Sequence, residues 1–254
     1  MNTNIDGQVS GALVSAAPRF SPLYQQIKAL LTSSLKKGAW RPGEVIPSEV
    51  ELAKRYQVSQ GTVRKAIDEL AAENLLVRRQ GRGTYVATHQ EPKAQFRFLR
   101  LRPNDGAISA PKSRIVDCKK MRAPVEVARS LGLKHNDSCL LVRRILDFDD
   151  KPEVLDELWL PSNAFKGLTA DRIEQFNGPL YGLFEAEFGV RMIRAEERLA
   201  AQKIGAFEAS LLRVEIGSPV LVVDRTSYTY EGAAVEFRRG FYRTESFHYF
   251  NEII

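Results

Sequence analysis

Residues 47–74 carry the pattern that most constrains the fold: a short helix, a tight turn and a longer helix follow one another directly. In PSEVELAKRY, Ser48 and Glu51 form a capping box, in which a hydroxyl and a carboxylate satisfy N–H groups of the first turn. Ser59 caps the next helix, QGTVRKAIDELAAENL, and Asn74 is expected to end it. The apolar residues at helical spacing predict its buried face: Val63, Ala66, Ile67 and Leu70. Such a pair indicates a helix-turn-helix, whose second helix enters the major groove of DNA by its N-terminal end.

Further elements flank this pair of helices. Ser21 and Pro22 favour a helix start as N-cap and first helical residue. Five apolar residues then predict one stripe: Leu23, Ile27, Leu30, Leu31 and Leu35. After the second helix, LLVRR and TYVA predict a hairpin around QGRG, with Arg82 at its tip. No helix follows this G-x-G, so a nucleotide loop is disfavoured and a wing beside a nucleic-acid backbone is preferred.

The excess positive charge lies in the same region. The formal net charge is +6 at pH 7. Residues 21–88 contain 11 Lys and Arg against 6 Asp and Glu, whereas residues 89–254 contain 25 against 24. A cationic segment beside a nearly neutral one is the electrostatic footprint of a polyanion binder. The alternative is a solvated basic surface, and charge by itself does not decide between the two.

The exposed end of the second helix and the wing supply side chains suited to DNA. Gln can pair with adenine and Arg with guanine, Ser and Thr reach phosphates or bases, and Gly lets the backbone come close. Arg78 and Arg79 alternate on their strand, so only one is expected to reach backbone phosphate. The predicted DNA-binding set is Ser48, Ser59, Gln60, Gly61, Thr62, Arg64, Lys65, Arg79, Gly81, Arg82 and Gly83.

The run from Pro22 to Val86 resembles the winged helix-turn-helix of the GntR family of bacterial transcription regulators. The resemblance is carried by PLYQQI, RPGEVIPSEVELAKRYQVS, TVRKAIDELAAENLL and RRQGRGTYV. It implies a sequence-specific regulator with DNA contacts at Ser59, Gln60, Thr62, Arg64 and Gly81. Many relatives have arginine where this chain has Val50 and Gln60. The departure predicts an operator that differs from common GntR half-sites at the base read by Gln60.

A change in sequence texture divides the chain. We expect a disordered leader over residues 1–20, the winged helix-turn-helix over 21–88, a polar linker over 89–95 and a second domain over 96–254. The linker is the expected place of coupling between the two domains.

The second domain is predicted to be rich in hairpins. CLLVRRILDF and EVLDELWL flank a DDKP turn, GPLYGLFEAEFG predicts an amphipathic helix, VRMIRAEERLAAQ a strand and GAFEASLLRV a helix. VLVVDRTSYTY, AAVEFRRGFYR and FHYFNEI predict an antiparallel meander. The predicted fold class is therefore α+β, with an antiparallel sheet behind the N-terminal winged helix.

This second domain resembles the UTRA effector-binding domain of the HutC-like branch of GntR regulators. The resemblance is carried by VRRILDFDDKPEVLDELWLP, PLYGLFEAEFGV, AFEASLLRVEIGSPVLVV and EGAAVEFRRGFYR. It implies a chorismate-lyase-like fold and a small metabolite that alters DNA affinity. Carried over by position, it implies an effector site at Arg144, Asp156, Tyr181, Glu236 and Tyr242.

An arginine with nearby carboxylates and tyrosines suits a polar, anionic or zwitterionic metabolite. Sugar-phosphate-binding relatives have a second arginine two residues after the first, where this chain has Leu146, and Arg143 faces the other side of the strand. An organic or amino acid is therefore favoured over a sugar phosphate. The alternative is that Arg144, Asp156 and Glu236 only pair with one another across the sheet.

The alternative to a regulator is an enzyme of chorismate-lyase-like fold fused to a DNA-binding head. The sequence gives this alternative little support. The three histidines, His89, His135 and His248, lack metal-ligand spacing, and no G-x-S-x-G elbow is present. We expect no catalytic residue, no metal site and no cofactor. A nucleoid-type DNA binder without an effector is a weaker alternative, because it would not need a large, nearly neutral second domain.

No apolar run approaches the roughly 20 residues of a membrane span, and residues 1–20 do not form a convincing signal peptide. Cys118 and Cys139 fit a reducing cytoplasm as two buried thiols, although a disulfide between them stays open. We expect a cytoplasmic, homodimeric repressor without a membrane partner. Its operator would be double-stranded and roughly palindromic, since dimer symmetry and operator symmetry go together.

Overall fold

The computed structural model describes residues 21–90, 99–106, 111–134, 137–230 and 232–252. The leader expected over residues 1–20 and the linker residues 91–95 lie outside this part of the chain. The N-terminal elements are α1 Leu23–Lys36, α2 Glu49–Tyr56, α3 Gln60–Ala72, β1 Leu76–Arg79 and β2 Gly83–Val86. The following elements are β3 Leu101–Pro103, β4 Lys112–Met121, α4 Val125–Ser130, β5 Cys139–Phe148 and β6 Lys151–Pro161. The last are α5 Ala170–Gln175, α6 Leu180–Phe188, β7 Arg194–Lys203, α7 Ala206–Leu212, β8 Pro219–Tyr228, β9 Ala234–Tyr242 and β10 Phe247–Tyr249.

The N-terminal unit is the expected winged helix-turn-helix. The capping box of Ser48 and Glu51 is present at the start of α2, and Ser59 caps α3 through the backbone N–H of Thr62. Lys28 ties α1 to α3 by ion pairs with Glu69 at 2.9 Å and Glu73 at 2.6 Å. The core below these helices contains Ile27, Leu31, Leu35, Ile46, Leu52, Val63, Ala66, Ile67, Leu70, Leu75, Leu76 and Val86.

Two expectations for α1 are wrong. The helix begins at Leu23 with Pro22 as its N-cap and without a capping side-chain hydrogen bond, so Ser21 does not cap it. Leu23 and Leu30 are 50% and 48% exposed. The buried residues follow a single i, i+4 line, Ile27, Leu31 and Leu35, because α1 packs chiefly against one neighbour, α3.

The wing is a tight hairpin. β1 and β2 pair antiparallel, and Arg79 faces Gly83 at the last pair before the loop. Gly81 and Gly83 have φ of +69° and +103°, which glycine adopts without a Cβ clash. Val45 adds a single isolated bridge to Tyr85 of β2.

The second domain is built on one antiparallel sheet of order β4-β5-β6-β9-β8-β7. β5 and β6 are joined by the two-residue turn Asp149–Asp150, with φ of 48° and 62°. Such left-handed residues match the twist of a two-residue hairpin. α6 covers one face of the sheet, called here the inner face, through Leu183 and Phe184. α4 and α7 cover the opposite, outer face.

The outer face carries a row of opposite charges that crosses all six strands. The register places in line Asp117, Arg143, Glu157, Arg239, Asp224 and Arg198. Arg143 is 2.6 Å from Glu157 and 3.1 Å from Asp117, and Arg239 is 2.7 Å from Asp224. Because neighbours across strands alternate in sign, the row supports the sheet in this register.

Several predictions for the second domain need correction. β10 is not part of the meander, because it pairs with β3 in a separate two-stranded sheet. The strand expected from Val190 begins only at Arg194, and α6 is buried on nearly all sides over residues 180–185 instead of amphipathic. β4, α4 and α5 were not predicted. β4 has charged residues on both faces and therefore lacks the alternation that indicates a strand.

No helix among the described residues is long and apolar enough to cross a membrane. Cys118 and Cys139 are free thiols, Cys139 buried and Cys118 half-buried.

Candidate functional site: a DNA-facing groove and a ligand cavity

A groove opens between the start of α2 and the wing. Six residues of the predicted DNA-binding set line it: Ser48, Gln60, Arg79, Gly81, Arg82 and Gly83. Val50 also lines the groove and is 61% exposed. The other predicted residues lie on the adjoining first turns of α3, where Ser59, Gly61, Arg64 and Lys65 are exposed and Thr62 is half-buried.

Glu49 organises the cations beside this groove. Its carboxylate accepts hydrogen bonds from Gln60 Nε2 at 3.2 Å and Arg64 Nε at 3.0 Å, and it pairs with Arg78 at 2.8 Å. Burial raises the pKa of Glu49, but the bonds from Arg78, Arg64 and Gln60 outweigh it and hold the pKa below its usual value. The two predicted base-reading side chains are thus held by one carboxylate in the protein without DNA.

The two wing arginines take different positions, as their alternation predicts. Arg78 also bonds to Asp68 at 2.8 Å. Arg79 lies over the ring of Tyr85, 4.3 Å from its centre. Arg82 is exposed at the tip of the hairpin.

The serine hydroxyls at this surface serve the helix starts. Ser48 Oγ donates to Glu51 at 2.8 Å, and Ser59 Oγ accepts from the Thr62 N–H at 3.1 Å. Lys65 lies 3.9 Å from the centre of the Tyr24 ring. Two capped helix N-termini therefore meet at the groove, and such N-termini favour phosphate.

A second site is a cavity of about 490 Å³ on the inner face of the sheet. One part of its wall is apolar: Leu99, Ile115, Leu146, Ile173, Phe176, Leu180 and Leu183. The polar part includes Arg144, Arg238, Tyr181, His89 and Gln90. The volume lies within the range of small-molecule sites, which combine apolar walls with a few polar groups.

A buried charge cluster forms one side of the cavity. Asp156 has no exposed surface and accepts from Arg238 Nε at 2.8 Å and Arg144 Nε at 3.0 Å. A second bond joins Arg238 Nη2 to the other carboxylate oxygen, so Arg238 grips Asp156 with two nitrogens. The cluster holds two cations and one anion, and it therefore carries an excess positive charge next to the cavity.

The directions of the pKa shifts show for which arginine Asp156 does not offset the cost of burying the positive charge. Burial lowers the pKa of Arg144, and repulsion from Arg238 adds to this despite the attraction of Asp156. The pKa of Arg238 lies well above its usual value because Asp156 outweighs the effect of burial. Asp156 has a lowered pKa, since Arg238 and Arg144 overcome its desolvation. Arg144 is therefore the side chain that an anion in the cavity would stabilise most.

The remaining predicted effector residues stand behind the cavity wall. Tyr181 lines the cavity and donates its hydroxyl to Glu236 at 2.5 Å, and burial raises the Tyr181 pKa to about 12. Glu236 also accepts from Ser227 at 3.0 Å. Tyr242 packs in an apolar cluster with Leu146. The structure thus brings Arg144 and Tyr181 to the cavity, whereas Asp156, Glu236 and Tyr242 are not among its lining residues.

The alternative, that Arg144, Asp156 and Glu236 only pair with one another, agrees with the structure only in part. Arg144 pairs with Asp156, but Glu236 is engaged by tyrosine and serine and not by either cation. Arg238 was missed, although its position two residues after Glu236 on an extended strand places it on the same face. His89 was also missed, because a lone histidine at the start of an expected polar linker has no pattern that indicates burial.

The strap, residues 87–90, joins the winged helix to the cavity wall. Glu185 of α6 accepts from the His89 N–H at 2.7 Å and from Thr88 Oγ1 at 3.1 Å. His89 is 5% exposed, and its ring meets Tyr181 edge-on at 5.7 Å. Arg191 bonds to the Ala87 carbonyl oxygen. The expected linker therefore begins as an anchored segment, and its continuation over residues 91–95 lies outside the described residues.

The described residues contain no group of three or more His, Cys, Asp or Glu that could hold a metal ion.

Two family models match the chain. The UTRA domain model matches residues 108–248, and the model of the bacterial regulatory proteins of the gntR family matches residues 23–86. The second range contains the DNA-facing groove, and the first contains the cavity wall except for His89, Gln90 and Leu99.

Whole-length relatives are transcription regulators. The HTH-type transcriptional repressor NagR of Bacillus subtilis is 29% identical over 239 residues, which is 91% of this chain and 96% of NagR. The HTH-type transcriptional regulator Rv0792c of Mycobacterium tuberculosis is 31% identical, over 85% of this chain and 80% of its own.

Among solved structures, the ligand-binding domain of a protein assigned to the GntR-family regulators of Bordetella bronchiseptica is 45% identical. It covers 61% of this chain and 96% of its own, with a TM-score of 0.58. The winged helix, the antiparallel α+β domain and these similarities agree: the chain belongs to the gntR family of bacterial transcription regulators, and it is a DNA-binding regulator whose C-terminal ligand-binding domain is a UTRA domain.

Proposed function

We propose that this protein is a homodimeric repressor that leaves its operator when an anionic metabolite with an apolar body occupies the cavity. The observation that carries the proposal is Arg144. It lines the cavity with a side chain only 12% exposed, and of its nitrogens Nε is the one bonded to Asp156. The terminal guanidinium nitrogens of Arg144 are thus the donors offered to a ligand.

The walls of the cavity indicate the ligand class. A carboxylate accepts two parallel hydrogen bonds from one guanidinium group, and this arrangement suits a single under-compensated arginine. Leu146, Phe176 and Leu183 line other parts of the wall and would remove an apolar body from water. An organic or amino acid with an aliphatic or aromatic side chain matches both parts.

A sugar phosphate matches the cavity less well. The absence of arginine at position 146 is not sufficient by itself, because Arg238 brings a second guanidinium to the cavity from β9. Arg238, however, already grips both oxygens of Asp156. A phosphate would therefore find one available guanidinium group, and the apolar part of the wall would leave any sugar hydroxyls against it without partners.

The DNA contacts proposed are those of the groove and the first turns of α3. Gln60 and Arg64 would exchange Glu49 for base edges, Arg82 would reach the minor groove or backbone, and the capped N-termini of α2 and α3 would approach phosphates. Support comes from their exposure on one surface together with the wing.

The strap supplies the coupling between the sites. A ligand at Arg144 would also meet Tyr181 and His89 in the same cavity, and His89 follows β2 of the winged helix by three residues. A shift of the strap would reorient the head relative to the second domain. Because two heads must span two half-sites, a small reorientation changes operator affinity.

The same geometry favours binding over turnover. Asp156 and Glu236, the buried carboxylates of the predicted effector set, are held by arginine and tyrosine and do not line the cavity, and Glu174, which lines it, is an exposed residue. NagR is named a repressor. We therefore propose that the ligand is bound and released unchanged, which chromatography of the ligand after prolonged incubation would check.

The test of the ligand class is calorimetry of the full chain with a panel of aliphatic and aromatic carboxylates, amino acids and sugar phosphates. A carboxylate is expected to bind. Arg144→Ala is expected to weaken its binding at least a hundredfold, because the variant loses a charge-assisted bidentate contact. The matched control is Arg143→Ala, which removes the neighbouring arginine on the outer face and should leave affinity unchanged. Micromolar binding of a sugar phosphate without any carboxylate binding would overturn the assignment.

A second experiment addresses the coupling. Stiffening the strap by Gln90→Pro should leave operator binding intact but reduce the ratio of operator affinities with and without saturating ligand, and calorimetry of the same variant measures any loss of ligand affinity at this cavity residue. The ligand is the carboxylate found by calorimetry, and the operator is a duplex selected from a random library by the wild-type protein. An unchanged ratio would contradict a role of the strap.

A further inference from the structure

A second cavity, called here the interdomain cavity, lies where the winged helix meets the second domain. Its volume is about 620 Å³, within the range of small-molecule sites, and it shares no lining residue with the cavity at Arg144. The winged helix contributes residues 72–75, the end of α3 and the turn before β1. The second domain contributes side chains of β7 and β8 together with Arg100, which precedes β3.

The wall from the second domain is built around one buried ion pair. Glu197 accepts from Arg225 Nε at 2.6 Å, and its other oxygen accepts from the hydroxyl of Tyr249. Burial raises the pKa of Glu197, but Arg225 and Tyr249 outweigh it and hold the pKa below its usual value. Glu197 is therefore an ionised residue, and both of its oxygens are already engaged.

Arg100 is the cation that this wall compensates least. Its Nη1 bonds to the neutral amide oxygen of Asn251, and its Nε lies 3.9 Å from Glu197, beyond the length of a hydrogen bond. The side chain of Arg100 is 38% exposed. Arg194, a second arginine of the wall, is bonded to Glu196. The wall thus offers a guanidinium group to an anion in the cavity.

The wall from the winged helix has the opposite charge. It is the C-terminal end of α3, where the aligned peptide dipoles leave a partial negative charge that attracts cations. The last turn of α3 contains no basic residue that would offset this charge. Glu73 adds a carboxylate. It pairs with Lys28 at 2.6 Å, but Lys28 is shared with Glu69 and neutralises only one of the two.

The two opposite charges line one cavity without closing it. In the part of the chain that the structure describes, Glu73 pairs with Lys28 and Arg100 with Glu197, and the two do not pair with each other. A direct ion pair across the cavity would satisfy both walls and remove the space between them. The space therefore suits a small molecule that carries both charges.

We propose that the interdomain cavity binds an α-amino acid with an uncharged side chain, whose carboxylate is held by Arg100 and whose ammonium group is held by Glu73 and the end of α3. A simple anion or a simple cation would be attracted by one wall and repelled by the other, whereas a zwitterion satisfies both. The uncharged side chain matches the apolar part of the lining, which consists of Ala72, Leu75, Ile193 and Ala195.

Such a ligand would join the two domains, because each wall belongs to one of them. Contacts with both walls are available only in the arrangement of domains that forms the cavity, so the ligand stabilises this arrangement over others. The strap lies at the cavity of Arg144 and not at the interdomain cavity. The amino acid thus acts on the winged helix by a second route, in addition to the effector of the proposed function.

Calorimetry of the full chain in an Arg144→Ala background tests the site, because this substitution removes the available guanidinium group of the other cavity. The probes are the twenty standard amino acids, each used alone. One with an uncharged side chain is expected to bind at one site per chain. Its analogues that lack either the amino group or the carboxyl group should bind at least tenfold more weakly, since each loses one charged contact.

Substitutions on each wall test the two contacts separately. Arg100→Ala and Glu73→Gln should each raise the dissociation constant of the amino acid at least tenfold. Two matched controls should leave it unchanged. Arg102→Ala removes an exposed arginine of β3, and Glu69→Gln removes the other partner of Lys28, and neither residue lines the cavity. Circular dichroism establishes that each variant is folded.

Hydrogen exchange tests whether the ligand joins the domains. Bound amino acid is expected to slow the exchange of backbone amides in both walls, at residues 72–75 and 193–197. Slower exchange in the second domain alone would overturn the proposal. So would the absence of saturable binding of any amino acid at millimolar concentration, equal binding of the analogue without an amino group, or an affinity unchanged by Glu73→Gln.

The interdomain site and the proposed function can fail independently. Binding that depends on Arg144 is measured in the wild type and does not require Arg100 or Glu73. A protein that binds its effector at Arg144 but no amino acid in the Arg144→Ala background removes the interdomain site only. The reverse result removes the effector proposal and leaves the interdomain site standing.

Discussion

The two domains use the same ion-pair chemistry at opposite degrees of exposure. In the winged helix, one carboxylate, Glu49, is shared by Arg64 and Arg78, whose side chains are 57% and 41% exposed. In the second domain, one carboxylate, Asp156, is shared by Arg144 and Arg238, whose side chains are 12% and 4% exposed.

The difference indicates what each cluster can bind. Exposed guanidinium groups give up a carboxylate at little cost, because water screens the pair, and a polyanion can take its place. Buried groups cannot lose their partner without leaving a desolvated charge, and so they keep a fixed geometry toward a small ligand. Exchange of partners suits the DNA surface, whereas preorganisation suits the cavity.

The largest expected effect comes from removing each shared carboxylate. Asp156→Ala should lower the free energy of unfolding by about 3–5 kcal/mol, because two buried arginines lose their counter-charge. Glu49→Ala should lower it by about 1 kcal/mol or less, as for exposed pairs. Urea denaturation of both variants checks this. Equal effects would remove the contrast between the two clusters.

Acid titration sharpens the same contrast. The native pKa of Asp156 lies below its ordinary value of 3.8, so its contribution to stability is present above that value and is lost as pH falls through the lower native pKa. Asp156→Asn should remove this part of the pH dependence of the free energy of unfolding in acid. Near neutral pH, the curve of unfolding free energy against pH should keep its shape.

A smaller effect is expected from Gln60→Ala on operator choice. Loss of a two-bond contact with adenine should cost about 1–3 kcal/mol at the base that Gln60 reads and relax the preference there. Binding to duplexes substituted at each half-site position, selected first with the wild type, measures this. Uniform weakening at all positions would assign Gln60 to the backbone instead.

The wing should contribute charge more than sequence preference. Arg82→Ala is expected to weaken all duplexes similarly and to reduce the slope of log affinity against log salt by about 0.9, the value for one phosphate contact. Lys166→Ala makes the same charge change on an exposed residue of the second domain and should leave the slope unaltered. A slope equal to the wild type in Arg82→Ala would exclude a phosphate contact.

The smallest effect concerns the two thiols. Burial raises the pKa of Cys139 to about 11, and it also raises the pKa of the half-buried Cys118. Both should react with iodoacetamide at pH 7.5 far more slowly than in the unfolded chain, since the thiolate is the reactive form, and Cys118 should react first. Rapid modification of Cys139 in the folded protein would contradict its burial.

Local patterns were sufficient for much of the winged helix. Ser48 with Glu51 and Ser59 with Thr62 are contacts within four residues, and the hairpin follows from Gly81 and Gly83. The partner of Gln60 and Arg64 was not predictable, because Glu49 lies on another helix and only the angle between α2 and α3 brings it near.

The cavity depends mainly on contacts between residues that are far apart in the sequence. Arg144 and Tyr181 were recognised by resemblance, but Arg238 enters because β9 is inserted between β6 and β8 in the sheet. His89 enters because a segment expected to be a linker is bound by Glu185, a residue almost one hundred positions further along the chain. No periodicity in the sequence encodes such contacts.

The sequence by itself determined the winged helix, the α+β class of the second domain and the family. Helix caps, turns and alternation act over a few residues, so they can be recognised in the order of the amino acids. Only the tertiary structure decided which arginines share Asp156, where the head is tied to the cavity and which charges line the space between the two domains. These features depend on strand order and on burial. Burial decides how strongly two charges interact, and the partners that bury or neutralise a charge lie far away in the chain.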